Sequence, residues 1–206
     1  MKKIDINTWK RREIFEFFSS VACPYYSVTF TLDVSRVYSF AKEQGLSFYY
    51  CMCWLCTQAV NRVEAFSYII KDGEIYRLDK RDPSFTDIKK GEELFHIVTM
   101  PLQDDVVAFC REAAERSAAQ TVFINMSAET EELVYLSCTP TLNITSLTNE
   151  HDSGKDDAIP RIAWGKYHDV DGRKELGLSI EVNHRFIDGY HIGKFAEELE
   201  KLISQL

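Results

Sequence analysis

The sequence predicts one α/β domain, and three observations predict it. Residues 25–34 and 176–184 are rich in Val, Thr, Ile, Leu and aromatic residues, and the first alternates loosely, as strands do. Residues 48–60 form an apolar run of more than ten residues, longer than an ordinary strand and therefore a buried helix. Residues 190–206 place Ile192, Phe195, Leu199, Leu202 and Leu206 at spacings of three and four, an amphipathic helix. No internal repeat, low-complexity tract or linker divides the chain, so residues 1–206 are read as one unit.

Bulk composition agrees with a packed core. Of the 206 residues, 45% are hydrophobic and 13% aromatic, which argues against global disorder. The formal net charge of −8 argues against nucleic acid or an anionic membrane as the main partner, because both reward clustered Lys and Arg. It leaves room for an anionic cofactor held by a local basic patch. No stretch approaches the ~20 apolar residues of a membrane-spanning helix. The first thirteen residues are charged throughout and lack the apolar centre of a secretory signal, so the expected compartment is the cytoplasm. Most of the six cysteines lie in apolar runs, as buried reduced thiols would.

Taken in order, residues 5–20 give a lead-in and a helix, with Trp9, Phe15, Phe17 and Phe18 set among charges. After the strand 25–34, residues 35–44 form a short helix stopped by Gly45, and Ser47 is placed to cap the buried helix. Two short strands near 69–70 and 75–78 flank Asp72-Gly73, a hairpin turn signal. Residues 85–88 and 93–99 are further strands, and 104–119 a helix. Short strands are expected at 133–136 and 142–144. Residues 148–160 are polar and turn-rich and are expected to be a flexible surface loop. Strands at 161–167 and 176–184 are joined by a turn at Asp171-Gly172.

The segment Asn183-His184-Arg185-Phe186-Ile187-Asp188-Gly189-Tyr190-His191 carries the chemistry. A strand ends there and a helix begins, so His184 and Asp188 sit on a loop from which side chains reach a pocket. A neutral imidazole is available near pH 7 to accept a proton. A carboxylate four residues on, fixed by a cation, can hold the loop. On spacing alone, a surface His beside a helix-capping Asp explains the pattern equally well.

This segment resembles the active-site motif of the chloramphenicol acetyltransferase family, and its H-x-x-x-D-G core is shared with dihydrolipoamide acyltransferases. Further blocks are similar in the same order: Trp9-Lys10-Arg11-Arg12-Glu13-x-Phe15, Phe48-Tyr49 with Ala59-Val60-Asn61, Ile70-Lys71-Asp72-Gly73-Glu74, Asp82-Pro83-x-Phe85-Thr86, Leu142-Asn143-Ile144-Thr145 and Gly165-Lys166-Tyr167. The resemblance implies the CoA-dependent acyltransferase fold, an α+β two-layer sandwich whose mixed β-sheet is covered by helices. It implies acetyl-CoA as donor, a small-molecule hydroxyl as acceptor and no metal. It casts His184 as general base, Asp188 as a structural carboxylate paired with Arg11, and Thr145 as the hydroxyl that steadies the oxyanion. Tyr26, with Tyr25 as rival, would line the acceptor pocket. Family members are homotrimers with active sites between subunits, one supplying the histidine and its neighbour much of the pocket.

Three departures bear on the acceptor. Asn183 replaces a second histidine, Ala163 replaces a threonine that supports the oxyanion, and the stretch after Thr145 is short and polar where the family is aromatic. Two other classes therefore remain beside the chloramphenicol acceptor: an acetyltransferase for another small alcohol or amine, and a silent scaffold that binds without turnover. Cys51, Cys53 and Cys56 invite a metal site, but interior helix packing explains them better. His184, Asp188 and His191 can also be read as metal ligands, but His191 falls in the first turn of the terminal helix and matches a position that is not a ligand in the family resembled. His96, His151 and His168 are taken as ordinary strand or surface residues.

Overall fold

The computed structural model describes residues 1–152 and 156–206. Ser153, Gly154 and Lys155, within the expected loop 148–160, lie outside the described residues. The chain order is β1 (Lys2–Lys3), α1 (Arg12–Ser19), β2 (Tyr25–Asp33), α2 (Ser35–Gln44), α3 (Phe48–Asn61), β3 (Tyr68–Lys71) and β4 (Glu74–Arg77). Then follow β5 (Asp82–Ile88), β6 (Phe95–Thr99), α4 (Val106–Ala119), β7 (Leu133–Thr139), β8 (Arg161–Gly165), β9 (His168–Val170), β10 (Arg173–Asn183) and α5 (Gly189–Ser204).

The principal sheet is mixed, in the order β2-β10-β8-β7-β5-β6, with β9 paired to β10. The β7 strand runs parallel to both β5 and β8, and the other ladders are antiparallel. A small sheet, β1-β4-β3, stands apart from it. Both hairpin turns expected from Asp-Gly form, with Asp72 at φ 52° and Gly73 at 74°, and Asp171 at 48° and Gly172 at 81°. Consecutive positive φ values suit Asp-Gly because glycine carries no Cβ to clash. Ser47 caps α3, its Oγ accepting from Tyr50 N at 3.5 Å.

The alternation in β10 decides how the site is built. Leu176, Leu178, Ile180 and Val182 enter the core shared with α2, α3 and α5. The opposite face presents Gly177, Ser179, Glu181 and Asn183. Such a polar face normally meets water, yet Ser179, Glu181 and Asn183 are all buried. What covers it is the irregular run that follows β7.

That run corrects one expectation. Residues 142–144 are not a strand. They pack their backbone onto the sheet instead: a Cβ on Gly177 would lie 2.1 Å from the Ile144 carbonyl oxygen, and one on Gly165 would lie 2.6 Å from that of Leu142. Lys166 N donates to Leu142 O at 2.7 Å. Leu142 and Ile144, apolar on either side of a polar Asn143, read as a strand because alternation cannot tell a ladder from a backbone lying across one. Within 148–160, residues 148, 150, 152 and 156 are exposed as a surface loop would be, while two others are anchored. Asn149 N donates to Glu181 Oε2 at 3.0 Å, and Asp157 forms a two-pronged pair with Arg161 at 3.0 and 3.3 Å.

Candidate active site

The loop after β10 is closed by its own backbone and by one cation. His184 N donates to Pro24 O at 2.7 Å, tying the loop to the chain leading into β2. Asn183 Oδ1 accepts from Arg185 N at 3.0 Å, and Asn183 Nδ2 donates to Asp157 O at 2.9 Å. Arg11 then brackets the loop. Its Nη1 and Nη2 donate to the two Asp188 carboxylate oxygens at 2.7 and 2.5 Å. Its Nε donates to Arg185 O at 2.7 Å, and Nη2 also reaches His184 O at 3.1 Å. One planar guanidinium thus satisfies the carboxylate and two loop carbonyls, a geometry that lysine's single ammonium lacks. The pairing of Arg11 with Asp188 that the resemblance implies is present.

His184 projects from this bracket with its side chain 32% exposed. Its ring stacks on Phe18 at 3.9 Å between centroids and lies 4.4 Å from the Tyr26 ring. The nearest carboxylate oxygen, Asp188 Oδ1, is 3.6 Å from Nε2. Burial holds the His184 pKa below its ordinary 6.5; Arg11 pushes the same way and Asp188 opposes. The imidazole is therefore neutral near pH 7. Asp188 is held below its usual range, chiefly by the hydrogen bond from Arg11, and stays ionised. Behind it, Asp188 N donates to His191 Nδ1 at 3.0 Å, which leaves that nitrogen unprotonated and makes His191 part of the helix cap.

The two tyrosines divide. Tyr26 touches His184, and its hydroxyl donates to Ile187 O at 3.3 Å. Burial and nearby Asp188 push its pKa up to about 12, so it stays protonated. Tyr25 faces elsewhere: its hydroxyl donates to Asp157 O at 2.9 Å and its ring stacks on His151 at 4.0 Å.

Thr145 does not join His184 within one chain. It lines a cavity of about 280 Å³ with Thr29, Thr31, His168, Glu175 and Gly177. Gly177 stands seven residues before His184, roughly 20 Å along an extended strand. Ser146 beside it is exposed and offers a second hydroxyl. Beyond this cavity Tyr38, Phe48 and Tyr167 form an aromatic cluster. Lys42 lies 4.5 Å over the Tyr38 ring, and Lys174 lies 4.4 Å from Tyr38 and 5.3 Å from Tyr167. A larger cavity, about 860 Å³, opens behind the loop among Trp9, Lys10, Tyr68, Phe186, Tyr190 and His191, and His184 does not line it.

Two apolar patches are open on the single chain. One is at α1 and just beyond its end, where Ile14, Phe17 and Val21 are exposed next to the Phe18–His184 stack. The other gathers Ile88, Leu94, Phe95, Val122, Phe123 and Met126 at the β6 edge, with Phe95 and Phe123 rings 5.3 Å apart. In the sequence Phe18 reads only as apolar bulk; its stacking on His184 depends on how α1 docks. The cysteines of α3 pack in the core, with Cys51 Sγ 3.7 Å from Cys110 Sγ of α4.

Comparison with known proteins agrees with this fold. A family model described as chloramphenicol acetyltransferase matches residues 1–200. A chloramphenicol acetyltransferase of Clostridium perfringens is 32% identical over 210 residues, covering 98% of this chain and 98% of that protein. Chloramphenicol acetyltransferase 3 of Escherichia coli is 29% identical over 203 residues, covering 97% and 95%. A solved chloramphenicol acetyltransferase superposes with a TM-score of 0.90 at 26% identity, over 98% of this chain and 99% of the other. A probable dihydrolipoamide acetyltransferase of Listeria monocytogenes shares the fold at a TM-score of 0.68 and 16% identity, covering 100% and 95%.

Proposed function

This chain belongs to the chloramphenicol acetyltransferase family, and on that premise we propose that it moves an acetyl group from acetyl-CoA to a small-molecule hydroxyl, chloramphenicol among them. The observation that carries the proposal is the His184 imidazole, kept neutral and a third exposed on a loop locked by Arg11 and Asp188. His184 takes the proton of the acceptor hydroxyl as that oxygen attacks the thioester carbonyl directly. Thr145 donates a hydrogen bond to the oxyanion so formed. Collapse releases the thiolate, which recovers the proton from the His184 imidazolium, and leaves the acetyl ester. The Lys42–Lys174–Tyr38–Tyr167 cluster fits the donor, since Lys42, and Lys174 in exchange for its 2.8 Å pair with Asp169, offer cations for phosphates and the rings offer a face for an adenine beside the Thr145 cavity.

A complete site then needs two copies, as Thr145 and His184 lie too far apart in one. The exposed apolar patches on α1 and at the β6 edge support a closed homotrimer, since rotational rings join different patches on each copy. A cytoplasmic setting completes the proposal. A stable monomer in sedimentation at micromolar concentration would overturn the shared site.

The test is thiol release from acetyl-CoA with and without chloramphenicol, for the native chain and His184→Ala. Chloramphenicol-dependent release should fall about 10³-fold in the variant, the scale of a lost general base. No release with chloramphenicol but release with other alcohols or amines would move the acceptor. That second reading is favoured by the polar cover at 147–151. No release with any acceptor would leave a silent scaffold, a reading opposed by the intact Arg11–Asp188 bracket.

A further inference from the structure

One buried carboxylate has no part in the acetyl-transfer mechanism. Glu181, on the polar face of β10, is 4% exposed. Among the described residues no Lys or Arg pairs with it. Arg161, directly across in the ladder, is committed to Asp157 at 3.0 Å. A buried carboxylate costs several kcal/mol unless its oxygens are satisfied. An apolar residue in this central strand would serve the fold better, so its partners are informative.

Glu181 Oε2 accepts from Ser27 Oγ at 2.8 Å and from Asn149 N at 3.0 Å, while Glu181 Oε1 lies against His151 Nε2 without a hydrogen bond between them. Two of these three neighbours lie in the run 147–151. The run keeps step with the strand: the Ile144 carbonyl sits on Gly177, Leu147 O accepts from Ser179 Oγ at 2.8 Å, and Asn149 and His151 reach Glu181. Thr145 lies at the start of this track.

We propose that Glu181 is a positioning residue that clamps the run 144–151 against β10 and thereby aims the Thr145 hydroxyl. The proposal rests on the acetyl-transfer reading above, and its test separates the two. Glu181→Gln keeps an oxygen for Asn149 N and Ser27; Glu181→Leu keeps none. Amide hydrogen exchange reads the clamp without any substrate. Exchange over 144–151 should rise about tenfold in Glu181→Leu, with α5 unchanged, and stay near native in Glu181→Gln.

Steady-state kinetics reads the aim. Per folded enzyme, kcat should fall about tenfold in Glu181→Leu with KM for acetyl-CoA little changed, and Glu181→Gln should restore it to within about threefold. Added to a background of Thr145→Val with Ser146→Ala, Glu181→Leu should cost nothing further, as expected when one residue acts through another. Full additivity overturns the aiming role, and unchanged exchange overturns the clamp. A native chain that releases no thiol with any acceptor, while exchange responds as expected, overturns the acetyl-transfer reading and with it the positioning role.

Discussion

The loop 184–188 follows β10 and the run 142–152 lies across it, and they are held in opposite ways. A single side chain from far away in sequence, Arg11, locks the loop through one bidentate pair and two carbonyls. The run has no such bracket along its first half. Backbone contact at Gly165 and Gly177, and small hydrogen bonds to Ser179 and Glu181, hold it. The loop is therefore sensitive to loss of a charge, and the run to gain of volume.

The sharpest way to break that contrast is Gly177→Ala. The added Cβ would meet the Ile144 carbonyl at 2.1 Å, and neither backbone can swing aside as a side chain would. A cost of about 3 kcal/mol is expected, at the upper end for overpacking. Urea unfolding measures it. The loop should be untouched, so binding at His184 should outlast stability. A neutral Gly177→Ala would mean that the run is not docked as described.

Asp188→Ala comes next. Breaking a buried pair from one side costs roughly 3–5 kcal/mol, but Asp188 is a third exposed, and solvent reduces this to about 2 kcal/mol. The same variant strands Arg11 beneath the loop carbonyls. Activity should drop further than stability implies, because the His184 backbone loses its anchor. Equal urea midpoints for native and variant would show that the loop is held by its backbone bonds alone.

The contrast also governs what the sequence disclosed. The loop was legible because its chemistry is local: a strand end, a histidine, a carboxylate four residues on and a glycine opening α5. The Arg11 partnership came only with the resemblance, since nothing near residue 11 points to residue 188. The run was not legible. Leu142, Asn143 and Ile144 have strand composition, and only the glycines opposite, far along the chain, make them lie across the sheet. Asn149 and His151 look like solvated loop because their anchor, Glu181, reads as a water-facing position of an amphipathic strand. The separation of Thr145 from His184 was equally invisible until the register of the run on β10 was known.

The smallest expected effect tests the electrostatics of the loop. The neutral His184 imidazole is the form that takes a proton, and its pKa lies below 6.5 because Phe18 and Tyr26 bury the ring and Arg11 adds positive charge. Activity is thus present above the folded-state pKa and lost as pH falls through it. The acid limb of kcat/KM should have its midpoint below 6.5. Asp188 works against this shift, so Asp188→Asn should move the limb lower still, with Arg11 left unopposed. The run offers no comparable influence on His184, so Glu181→Gln should leave the limb where it is. A limb at or above 6.5 in the native chain, or one that rises in Asp188→Asn, would mean that another group controls the titration.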